Sequence, residues 1–140
     1  MKVSDGLGPI DTLMVHCLRA AAAEDERRRA AGIEVPAGPL TPEDRQQVDD
    51  FTALMEPFFE AQERLQALLR QVEDVAFRAL SANERDRLRM DRDAYGAWHR
   101  DVQVPPELEG RVADLVAEAR REFHASVLRM GEYLKRLRGE

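Results

Sequence analysis

The chain has a single cysteine, Cys17, so no disulfide can form within it. It has no uninterrupted apolar run near the roughly 18 residues that a membrane-spanning helix requires. No charged-then-apolar leader opens it. Together these absences set the expectation of a soluble protein in a reduced, cytoplasmic setting with no membrane partner. Lysine is almost missing too: Lys2 and Lys135 stand against 19 arginines, which with 19 alanines reads as GC-rich, bacterial-like coding bias. Acids outnumber bases 27 to 21, for a net charge of -6. A surplus of acid opposes non-specific nucleic-acid binding, which needs positive charge to displace phosphate counterions.

The residues of common catalytic and metal sites are also absent in the required patterns. Helical bundles hold metals with a glutamate three residues from a histidine. His16, His99 and His124 have no acid three or four positions away on either side. Ser4 lies in the opening segment, Ser81 precedes a helix, and Ser126 has no glycine-rich elbow around it, so none reads as an activated nucleophile. The eight glycines form no phosphate-cradling loop. The adjacent acids Asp49-Asp50 and Glu73-Asp74 fit the polar flank of an amphipathic helix better than acid-base work. The expectation is therefore no catalytic residue, no cofactor and no metal.

What the sequence does have is helical periodicity. Val48, Phe51, Met55, Phe58, Gln62, Leu65, Leu69, Val72, Ala76 and Ala79 follow one another at alternating steps of three and four, with only Gln62 polar. A second ladder, Phe51, Leu54, Phe58, Ala61, Leu65, Leu68, Val72 and Val75, widens the stripe enough to touch two neighbours. Val112, Val116, Ala119, Phe123, Val127, Met130, Leu134 and Leu137 form another continuous face near the C-terminal end.

Punctuation then divides the chain, taken as one domain over 1–140, into four predicted helices. Gly8-Pro9 starts the first, over 9–31, whose apolar stripe is Ile10, Met14, Cys17 and Ala21, with Gly32 as its stop. A Pro- and Gly-rich linker covers 32–41. Thr41-Pro42-Glu43-Asp44 combines a capping hydroxyl, a first-turn proline and two acids at the positive helix end, and opens a helix over 42–80. At about 1.5 Å per residue that helix would be about 57 Å long, so a kink or break is expected near Pro57, where a backbone donor is missing. Ser81-Ala82-Asn83-Glu84 reads as a capping box for a third helix over 82–101. Pro105-Pro106 opens the last, over 106–138, with acids at its start and Lys135, Arg136 and Arg138 at its end. The predicted fold is all-α: a four-helix bundle or an elongated coiled-coil-like helical hairpin with an N-terminal helical arm.

Two candidate surfaces remain, both on the third helix. Tyr95, Trp98 and His99 include the only tryptophan, beside small residues that admit a partner, and aromatic anchors of this kind concentrate binding energy. The favoured reading of Trp98 itself is that it seals one end of the core, and if a partner site exists it is here. Arg85, Arg89 and Arg92 would share one helical face and could contact nucleic acid, although Asp86, Asp91 and Asp93 dilute them. The leading expectation is a non-enzymatic protein-protein interaction module, such as an adaptor, secretion-type chaperone or small regulator, with homodimerisation through the helix from Arg111 to Arg138. The alternative is a nucleic-acid-associated regulator using the Arg85–Arg100 helix. An enzyme or carrier with an inter-helical pocket would need polar side chains on the inner ladders, where Gln62 stands alone.

Overall fold

A computed structural model describes residues 1–33 and 41–139, apart from the side chains of Met14, Cys17, Ala20 and Ala21. The described residues form five α-helices: α1 (Val3–Ala30), α2 (Pro42–Arg78), α3 (Ala82–Met90), α4 (Arg92–Asp101) and α5 (Pro106–Leu137). The fold is all-α. Its one β-like feature among the described residues is an antiparallel bridge between Lys2 and Gln103.

The two long ladders meet each other. Arg64 pairs with Glu118, the Phe58 and Phe123 rings lie 5.3 Å apart edge to face, and the Tyr133 hydroxyl donates to Asp50 at 3.1 Å. Residue numbers fall on α2 as they rise on α5, so the two helices form an antiparallel hairpin. Phe58, Ala61, Leu65, Leu69, Val72, Val112, Leu115, Ala119 and Phe123 fill its core. The start of α1 lies across that core. Val3 and Ile10 are fully buried, and Gly6 is pressed between Leu69 and Val112. A backbone strap holds it there: Val3 N-H donates to Val102 O at 2.9 Å, and Val104 N-H to Met1 O at 2.8 Å.

Thr41 caps α2 as its sequence implies, accepting from Asp44 N-H at 3.2 Å while Asp44 accepts from Thr41 N-H at 3.2 Å. Three expectations need correction. The first helix begins at Val3 rather than Pro9, because Lys2 and Asp5 close a capping arrangement at the strapped end. Pro9 then sits inside the helix, where its missing donor costs one intrahelical bond. Where a kink or break was expected near Pro57, α2 continues as one helix, its apolar faces on either side being tied to the same partner helix. The third predicted helix is two. Asp91 leaves helical geometry (φ -119°, ψ 106°), and its carboxylate accepts from Asp93 N-H and Ala94 N-H at 3.0 and 3.1 Å, ending α3 and capping α4. Ser81 caps α3 by accepting from Glu84 N-H at 3.2 Å, but Glu84 does not return the bond. Of the stripe predicted for the first helix, the side chains of Met14, Cys17 and Ala21 lie outside the described residues, as does most of the 32–41 linker.

Candidate functional site

The break at Asp91 decides what the candidate side chains can do. It makes α4 a separate short rod that packs against α1 and α3 and reaches the last turns of α2 through Trp98 and His99. Trp98 turns inward, with its ring 5.7 Å edge to face from Phe77, and packs against the core. Tyr95 is 41% exposed, 5.7 Å from the Trp98 ring and stacked 5.9 Å from the His99 ring. The three residues expected to share a partner surface are therefore contiguous but point in different directions. Trp98 serves the core, Tyr95 faces solvent, and His99 faces α2.

The arginine face is divided more deeply. Arg92 begins α4, so the helical register that would align it with Arg85 and Arg89 does not reach it. Arg89 is engaged already, 3.5 Å from Asp86 and with its guanidinium 5.4 Å above the Phe77 ring.

The polar contact of α4 with α2 joins two residues that no local sequence pattern connects. His99 Nδ1 lies 2.7 Å from Glu73 Oε1, and both atoms are shut off from solvent. They are close without being aligned as a hydrogen bond, so each lacks a directed partner. Sequence reading assigned Glu73 to the polar flank of its helix and did not connect it with His99. A search for acids near each histidine along one helix could not find it, because its histidine comes from another helix. The detectable signal was its register position, 60° from Phe58 by helical geometry and so at the edge of the buried stripe (about 100° per residue).

The pair borders a cavity of about 300 Å³ lined by Leu7, Gln66, Leu69, Arg70, Glu73 and His99. A second, of about 390 Å³, lies on the other side of α4 between α3 and α4, with Leu80, Leu88 and Trp98 in its wall and Glu84, Arg87 and Asp101 among its polar groups. Among the described residues, no three His, Cys, Asp or Glu side chains are grouped to hold a metal ion, and no helix is long and apolar enough to cross a membrane.

Burial raises the Glu73 carboxyl above its ordinary value of 4.5; His99 opposes that rise and Asp74 adds to it. The folded chain consequently holds the Glu73 proton more tightly than the unfolded chain does. From the ordinary value up to the raised one the folded state binds more protons, so this group's contribution to stability falls as pH rises through that window and stays lost above it. Glu73→Gln removes the effect. Chemical denaturation of both proteins across this range should show the variant gaining on the wild type as pH rises from 4.5. A difference constant with pH would refute the assignment.

No protein-family model, curated protein or solved structure matches the chain.

Proposed function

We propose that the protein is a non-enzymatic protein-interaction module whose contact surface is the open end of the α2–α5 hairpin, and that the partner is a second copy of the chain. One observation carries this reading. Phe51 lies seven residues before Phe58, only about 20° from it around the helix. Phe58 is completely buried, whereas Phe51 is 44% exposed. The core-facing direction of α2 thus continues past the point where the chain itself covers it. Val48 beside it, and Val127, Leu134 and Leu137 on α5, are exposed in the same end of the hairpin. Isolated apolar residues on a surface are ordinary, but a group that extends the core stripe of two adjacent helices marks a contact face.

Charge favours a second copy as the occupant. The start of α2 carries Glu43, Asp44, Asp49 and Asp50, while the adjoining end of α5 carries Lys135, Arg136 and Arg138. In a two-fold contact each patch of one protomer meets the other patch of its partner, so acid faces base twice. Light scattering at micromolar concentration should give twice the chain mass. Phe51→Ser combined with Leu137→Lys should give the mass of one chain with unchanged helical circular dichroism. A wild-type mass of one chain, or a variant that remains double, would overturn the proposal. For the nucleic-acid alternative the arginines of α3 and α4 give less support, since Arg89 is paired and Arg92 belongs to another helix.

A further inference from the structure

Helices α1, α2 and α4 close on the cavity of about 300 Å³ beside Glu73, and its walls carry charges of both signs next to apolar surface. We propose that it binds a free α-amino acid with a branched apolar side chain, such as leucine: Arg70 and Gln66 take the carboxylate, Glu73 and His99 take the ammonium group, and Leu7 and Leu69 cover the side chain. The cavity lies at the α4 end of the molecule, away from the open end of the hairpin, so this site stands or falls independently of dimerisation.

Helix α2 supplies the polar wall. Gln66, Arg70 and Glu73 follow one another at steps of four and three, which places them in one row along the helix, with neighbouring Cβ atoms about 5–6 Å apart. This row flanks the apolar ladders, so the polar groups that a pocket between helices requires come from the edge of the stripe and not from within it. Leu69, buried beside them, Leu7 of α1 and His99 of α4 complete the lining.

Both signs of charge are left available. Arg70 is exposed, and among the described residues its guanidinium joins no ion pair. Nor does it act on the Glu73 carboxyl, which burial raises, His99 lowers and Asp74 raises further. The guanidinium therefore stands apart from the carboxylate instead of cancelling it. On Glu73, Oε1 is closed off against His99 while 16% of the side chain stays exposed, so Oε2 is the oxygen that a ligand reaches. His99 is arranged the same way: Nδ1 is closed off and 37% of the side chain is exposed, which leaves the opposite edge of the ring, with Nε2, accessible. The Glu73 charge 2.7 Å from Nδ1 favours the proton of a neutral ring on that nitrogen, so Nε2 is an acceptor.

A cation and an anion one turn apart, with an acceptor beside the anion, match a ligand whose own opposite charges are joined through one carbon. A simple anion would leave Glu73 unanswered, and a simple amine would leave Arg70 so. Size agrees: about 300 Å³ is the lower limit of small-molecule pockets, which suits a single amino acid.

L-Leucine should be titrated into the full chain at about pH 8, above ordinary carboxyl and imidazole titration, and followed by nuclear magnetic resonance of isotope-labelled protein. Saturable shifts should centre on Gln66, Arg70, Glu73 and His99. Two matched probes test the charges separately: 3-methylbutylamine lacks the carboxylate and 4-methylpentanoate lacks the ammonium group. Each should bind about ten-fold more weakly or worse, because each leaves one charged group of the site without its partner. Arg70→Ala removes an exposed side chain and should weaken leucine binding by a similar factor with helical circular dichroism unchanged, and Glu73→Gln should weaken it too. Absence of saturable shifts at about 10 mM leucine, where a millimolar site is filled, would overturn the proposal. So would equal binding of either probe, or a leucine affinity that survives Arg70→Ala.

Discussion

Phe58→Ala should lower the free energy of unfolding by about 3–5 kcal/mol, the cost of removing an aromatic side chain from a core that cannot fully collapse around the gap. Phe58 is completely buried, and its ring meets Phe123 at 5.3 Å and Phe59 at 5.8 Å. It joins the two long helices at the point where the buried part of the hairpin gives way to its open end. Total stability of a domain this size is about 5–15 kcal/mol, so the loss would leave the folded state marginal. Urea denaturation followed by circular dichroism measures it. A loss under about 1 kcal/mol, the range of tolerated core swaps, would show that the Phe58–Phe123 contact does not hold the hairpin.

Substitution at Gly6 should produce the next largest effect, with a sign that depends on size. A Cβ placed there would lie 3.0 Å from Val112 Cγ1 and 3.3 Å from Leu69 Cδ1. Alanine gains about 1 kcal/mol of helix propensity over glycine. That gain offsets the small shift asked of the Val112 methyl, so Gly6→Ala should be nearly neutral. Gly6→Leu has no such compensation. Overpacking costs about 1–3 kcal/mol and forces α1 away from the hairpin, taking Val3 and Ile10 out of the core with it. Gly110 on α5 provides the contrast, since a Cβ there would meet nothing within 4 Å. Gly110→Ala should stabilise by about 0.5–1 kcal/mol, the ordinary helical preference. Hydrogen exchange should show faster opening of α1 in Gly6→Leu alone. Equal behaviour of leucine at both positions would mean that α1 does not pack closely at Gly6.

Much of this architecture is legible in the chain itself because helix formation and amphipathicity are written in local spacing. Thr41 and Ser81 occupy the caps their side chains suit, and the apolar stripes on α2 and α5 do face each other. Periodicity misjudged burial where it could not see coverage. Phe51 and Phe58 carry the same pattern, yet one is half-exposed and the other sealed. At Pro57 the unbroken phase of the ladder was the better guide than the missing donor, since packing on either side keeps α2 in one piece. Asp91 was written off as a diluting charge among arginines, although an aspartate before Arg-Asp-Ala is also a capping residue.

By itself, then, the order of residues determined an all-helical chain, the two principal rods and the side of each that seeks cover, because those depend on interactions three or four residues apart. Tertiary structure alone decided that Glu73 meets His99, that Gly6 fits between Leu69 and Val112, and where the shared apolar face runs out. Each of those depends on how separate helices are placed beside one another, and no regular spacing along a single helix encodes that distance.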